Sequence, residues 1–208
     1  MVKIKHFIQQ SWLLIVSSFC FGLLIAVTDA ALAARIERNK VDKLNHLTVA
    51  LLPDAKQFEQ LDEEIEVELA RGKKEKIKVY KAVSQAGECI GWSFIAAGQG
   101  FADKIELVIA VDKDFQKIAG FNVLVCSETP GFGDRIKTSY YRNQFAGAPS
   151  GELKLVKTGD ARKVDSEIVT ITGATVSSEA VVQIINTFMT QIKNRMQEKG
   201  LIGNGKGQ

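Results

Sequence analysis

Five hydroxyls crowd the stretch Thr170–Glu179, which reads Thr-Ile-Thr-Gly-Ala-Thr-Val-Ser-Ser-Glu: those of Thr170, Thr172, Thr175, Ser177 and Ser178. Hydroxyls so grouped can cap a helix, contact a phosphate or accept a phosphoryl group. The flanks say which element they open. Before them stands an apolar run, Ile168, Val169 and Ile171. After them Val181, Ile185, Phe188, Met189, Ile192 and Met196 recur at helical spacing and mark one buried face. Thr172–Ser178 is therefore predicted to be a tight turn that opens a helix. Gly173 permits an unusual backbone angle there, and Ala174 keeps the turn small. Glu179 is expected to favour the first turn electrostatically, and free amides at such a helix start suit a phosphate. An N-cap with spare hydroxyls is the plain structural alternative.

A second stretch, Glu128-Thr129-Pro130-Gly131-Phe132-Gly133-Asp134-Arg135, combines a proline with two glycines. These fix a compact loop whose backbone can approach a ligand closely. Phe132 between the glycines is either a buried staple or a cover for a flat aromatic ring.

Both stretches carry a resemblance. Thr172-Gly173-Ala174-Thr175, followed by Ser177 and Ser178, resembles the flavinylation motif of the bacterial FMN-binding domain family. The loop Glu128–Gly133 resembles the segment that lies along the flavin in the same family. Phe132 stands where Leu is usual, Arg135 where Lys is common, and Val169 where Asp is usual. The resemblance implies FMN joined by a phosphoester to Thr175. It also implies a cofactor site formed by Glu128, Thr129, Gly131, Phe132, Gly133, Thr172, Gly173 and Ala174. Ser177 and Ser178 are the competing hydroxyls, expected to be less accessible in the first helical turn.

The resemblance further implies an electron-carrying subunit of a membrane-bound, ion-translocating complex of the Rnf type. Such a complex passes electrons between NADH and ferredoxin. Its other subunits, a flavin transferase and the lipid bilayer are the implied partners. A sodium-pumping NADH:quinone reductase, or a membrane-anchored flavin-based sensory domain, are the alternatives. An assembly protein without a cofactor is a third class, and a yellow protein would exclude it.

Composition narrows the chemistry. The chain of 208 residues has a net charge of only +3, 8% aromatics and two histidines, His6 and His46. Nothing points to nucleic acid. Without a Cys-x-x-Cys or His-x-x-x-His pair no metal site is expected, and no histidine in the body of the chain could serve a hydrolytic triad. No catalytic residue is assigned.

The elements that must position these stretches follow in order. Gln9–Thr28 is uncharged and matches the roughly 20 residues a helix needs to cross a bilayer. Lys3 and Lys5 precede it, which places the N-terminus inside and the body on the periplasmic or outer side of a bacterial cytoplasmic membrane. Arg35, Arg38, Lys40 and Lys43 follow it and blunt that asymmetry. Ala31-Leu32-Ala33 would suit a cleaved signal peptide, but the run is longer than a usual signal core, and a retained anchor is expected. Residues 1–34 are thus read as anchor, 35–60 as a stalk or linker helix, 61–198 as the FMN-binding domain, and 199–208 as a flexible tail.

Within the domain, Ile65, Val67 and Leu69 alternate with glutamates as in a half-buried strand. Arg71–Lys76 is a charged turn, and Ile77 and Val79 return. Cys89–Ala97, Ile105–Val111 and Ile118–Cys126 read as further strands, with Gly98-Gln99-Gly100 breaking the first. Ile136–Phe145 reads as a short amphipathic helix, and Leu153–Val156 as a strand. Consecutive strands followed by helices make an α+β domain with an antiparallel sheet and packed helices. Cys89 and Cys126 are expected to be free, and Cys20 lies in the span.

Overall fold

The computed structural model describes residues 2–69 and 72–203. Its elements are α1 (Val2–Leu51), β1 (Gln57–Gln60), β2 (Ile65–Glu68), β3 (Lys74–Ile77), β4 (Val79–Val83), β5 (Cys89–Gln99), β6 (Lys104–Asp112), β7 (Ile118–Cys126), a 3-10 turn (Gly133–Lys137), α2 (Ser139–Arg142), β8 (Lys154–Val156), β9 (Glu167–Val169) and α3 (Thr175–Glu198). The chain divides into two compact units, Met1–Lys43 and Leu44–Gln208.

The first unit is helical. Its segment Ser11–Ala33 is long and apolar enough to cross a membrane, and none of it is buried within the protein.

In the second unit five antiparallel strands form a sheet in the order β1-β4-β5-β6-β7. Alternation sorts its side chains to two faces. Ile105, Leu107, Ile109 and Val111 of β6, with Trp92, Phe94 and Ala96 of β5, share one core with Val181, Ile185, Phe188, Met189, Ile192 and Met196 of α3. The apolar stripe legible in the sequence is thus the face that α3 buries. On the opposite face Leu51, Leu52 and Ala55 pack with Ala82 and Ala110, and Asn122 Nδ2 donates to Leu47 O at 3.0 Å.

Several expectations change. Residues 44–60 do not form a free stalk. The end of α1 lies on the sheet, and Gln57–Gln60, at the end of the expected linker helix, pairs with β4 as an edge strand. Gly98 does not break β5, which pairs with β6 through Gln99. A Cβ at Gly98 would lie 2.5 Å from Ile184 Cγ1, so the missing side chain lets α3 close onto the strand. The expected helix 136–145 divides into the 3-10 turn and α2, with Ile136, Tyr141 and Phe145 buried. Ile202, expected in the flexible tail, is buried in the core. The end of that tail, 204–208, lies outside the described residues, as does Arg71 in the β2–β3 turn. The short pair β8–β9 is parallel. Cys20, Cys89 and Cys126 are free.

Candidate functional site at the start of helix α3

β9 ends at Val169, and a turn carries the chain into α3. Ala174 N–H donates to Ile171 O at 2.9 Å. Gly173 takes the third position of this turn with φ +81°, in the left-handed region that glycine enters at little cost. The helix begins at Thr175, and no side chain caps it. Its first amides therefore have no intrahelical acceptor. Glu179 was expected in the first turn. It lies beyond it, and that turn has no acidic residue; Glu179 instead accepts a hydrogen bond from Gln183 Nε2 at 3.3 Å.

The three hydroxyls of this helix start differ sharply. Thr175 is exposed. Ser177 is 2% exposed and donates Oγ–H to Glu128 Oε2 at 2.6 Å. Ser178 is fully buried; its Oγ donates to Ala174 O at 2.9 Å and accepts Ile171 N–H at 3.2 Å. Both serines hold the turn together from inside, while Thr175 faces out.

The Pro-Gly loop meets this turn. Phe132 N–H donates to Thr129 O at 3.2 Å, closing a β-turn with Pro130 second and Gly131 third, the latter at φ +79°. Phe132 is 59% exposed, so it is no core staple. A Cβ at Gly173 would lie 3.6 Å from Phe132 Cδ1, which sets the ring against the turn. Arg135 Nη1 donates to Thr172 O at 3.3 Å and brings a positive charge to the same place. Thr129, Gly131, Thr172 and Gly173 are exposed, whereas Gly133 and Ala174 are buried. Glu128 is buried too; its Oε1 accepts Ala102 N–H at 3.1 Å, and its Oε2 holds Ser177.

Two supports escaped the sequence reading. Tyr141 OH donates to Ser178 O at 3.0 Å, and burial pushes its phenol above the ordinary tyrosine range, the hydrogen bond partly offsetting this. Gln144 brackets the backbone of Val169. Neither residue stands in a recognisable motif, and a polar side chain such as that of Gln144 carries no local sign of burial.

The resulting site is a ledge on which Thr172 and Thr175 are exposed, together with the side chains of Phe132 and Val176. A cavity of about 340 Å³ lies further along α3, against β5, lined by Gly98, Gln99, Ala180, Gln183 and Ile184 among others, and does not include Thr175. Among the described residues no group of three or more His, Cys, Asp or Glu is placed to hold a metal.

Residues 100–190 match the FMN-binding domain family. The chain is 28% identical to the G subunit of the ion-translocating oxidoreductase complex of Methanosarcina acetivorans, covering 86% of this chain and 90% of that one. It is also 28% identical to the G subunit of the Na(+)-translocating ferredoxin:NAD(+) oxidoreductase complex of Acetobacterium woodii, over 93% and 99% of the two chains. Among solved structures, NqrC of Shewanella oneidensis superposes with a TM-score of 0.56 at 20% identity, covering 70% of this chain and 73% of that one. That likeness is one of fold.

Proposed function

We propose that this chain, whose residues 100–190 match the FMN-binding domain family, is the FMN-bearing redox subunit of an ion-translocating oxidoreductase complex of the Rnf type, with FMN esterified to Thr175. One observation carries the attachment: of the hydroxyls at the start of α3, Thr175 alone is exposed, while Ser177 and Ser178 are buried and already hydrogen-bonded. The near full-length similarity to the G subunits of ion-translocating complexes favours this assembly over the sodium-pumping quinone reductase, because the likeness to NqrC is one of fold at lower identity.

FMN, when bound, supplies one- and two-electron redox chemistry. The chain's own residues bind and orient. Amides at the uncapped start of α3 and the Arg135 guanidinium favour a phosphate diester anion at Thr175. Phe132 offers a ring face, and the exposed backbone at Gly131 and Gly173 allows close approach. Making the ester requires an activated donor. Thr175 Oγ attacks the FMN phosphorus of a flavin dinucleotide, the phosphoanhydride breaks, the nucleoside monophosphate leaves, and the hydroxyl proton is lost. A flavin transferase is the partner for that step, and the exposed ledge gives it access. An ester keeps the flavin from diffusing away on the outer side of the membrane, where no cytoplasmic pool replaces it.

Segment Ser11–Ala33 anchors the chain in the bilayer, with the FMN-binding domain on the outer side. Intact mass and peptide mapping of membrane-extracted protein test both parts of the reading. The expected result is a retained N-terminus and one FMN on the peptide containing Thr175. A mature chain starting near Ala34, or a flavin-free Thr175 peptide after coexpression with a competent transferase, would defeat the respective part. A cysteine introduced at Lys163, an exposed position, should react with impermeant reagent only from the outer side.

A further inference from the structure

Glu128 sits where three segments meet. It is 5% exposed, and each carboxylate oxygen has its own donor: Ala102 N–H at 3.1 Å on Oε1, and Ser177 Oγ–H at 2.6 Å on Oε2. A Cβ at Gly100 would lie 2.3 Å from Oε1, and one at Gly133 would lie 2.5 Å from Oε2 and 2.6 Å from Ser177 Oγ. The carboxylate is thus seated between two glycine backbones and the first turn of α3, in space that any larger residue at either glycine would invade. Burying such a group is costly unless donors satisfy it, and here they come from two different elements.

We propose that Glu128 is a positioning residue for the modification of Thr175: its side chain spans from the β5–β6 turn to α3, locks the Pro-Gly loop beside the acceptor turn, and keeps the Ser177 hydroxyl engaged so that Thr175 is the one presented. This rests on the reading of Thr175 as the acceptor. Length decides the clamp, not charge. Glutamine has the same reach: its Oε1 can accept Ala102 N–H while its Nε2 donates to Ser177 Oγ, whose hydroxyl turns away. Aspartate keeps the charge but is one methylene shorter and cannot span both partners.

The test is FMN content and its peptide location in the full-length protein, coexpressed with a flavin transferase, with thermal melting as a separate readout of folding. Wild-type protein is mapped first, and flavin found elsewhere than on Thr175 would remove the underlying reading before any variant is compared. With Thr175 loaded in the wild type, Glu128→Gln should load within about twofold of it, and Glu128→Asp should fall by about tenfold, the scale of one buried hydrogen-bonding group left unpaired. Gly133→Ala should fall likewise, because the added methyl would meet both Glu128 Oε2 and Ser177 Oγ. Loading that survives Glu128→Asp but fails in Glu128→Gln would assign Glu128 a charge-based role and overturn the clamp. Equal loading of all variants would also overturn it. Should Glu128→Asp not fold, the comparison of Glu128→Gln with Gly133→Ala decides.

Discussion

Gln144 holds Val169 from both sides, its Nε2 donating to Val169 O at 3.2 Å and its Oε1 accepting Val169 N–H at 2.7 Å. The side chain completes for β9 what a neighbouring strand would otherwise supply, just before the turn that leads into α3. Both bonds are buried, so nothing else can satisfy the freed backbone groups. Gln144→Leu should therefore lower unfolding free energy by about 2–3 kcal/mol in urea titrations. Gln144→Glu should be no better, because a carboxylate oxygen would face Val169 O. A loss below about 0.5 kcal/mol would mean that water or a shifted strand replaces the bracket.

Tyr141 gives a pH dependence with a definite sign. Its phenol is held above the ordinary tyrosine range in the folded chain by burial, while in the unfolded chain it titrates at about 10. Above that pH the unfolded state binds fewer protons, so its contribution to stability is fully present at neutral pH and falls as pH rises past about 10. Tyr141→Phe should cost about 1 kcal/mol at neutral pH through the lost bond to Ser178 O, and should make the alkaline decline shallower. Denaturant midpoints followed across the alkaline range would show it. Parallel declines in the two proteins would mean that Tyr141 ionises in place.

Period and turn chemistry made part of this architecture legible. The alternation of Ile65 and Val67 with glutamates appears as a strand with alternate residues buried, and the stripe from Val181 to Met196 is the buried face of α3. Gly173 stands at the positive φ its turn needs. What stayed hidden depends on partners far along the chain. Gln57–Gln60 has no apolar alternation and is a strand only because β4 offers it an edge. Gly98 resembles a strand breaker until Ile184 is brought against it. Glu128, expected to line the flavin, has its carboxylate taken by residues 26 and 49 positions away. Local propensity carries no trace of such pairings.

Phe132 is the test of the loop as part of the cofactor site. Its exposed ring lies against the Gly173 turn without filling the core. Phe132→Ala should leave the fold and the attachment intact. It should move the flavin's potential by at most about 60 mV for a one-electron couple, since ring stacking is worth about 0.5–1.5 kcal/mol, and should alter its fluorescence. Redox titration of the loaded protein reads the first and emission spectra the second. An unchanged potential and spectrum would remove Phe132 from the flavin's surroundings.

Thr175 and Ser177 separate most sharply in their expected variants. Thr175 is exposed and its side chain caps nothing, so Thr175→Val should give a stably folded, colourless protein, with no FMN on any peptide and no electron transfer through it in the assembled complex. Thr175→Ser retains a hydroxyl at the same place and should still be modified, more slowly if the transferase uses the methyl group. Ser177→Ala should remain yellow, because its hydroxyl is buried against Glu128; its cost should appear instead as about 1 kcal/mol of stability. Absorbance, peptide mapping and melting on the same three proteins decide the matter. A yellow Thr175→Val, with flavin mapped to Ser177 or Ser178, would show that the buried serines open to the transferase and that exposure in the resting fold does not select the acceptor.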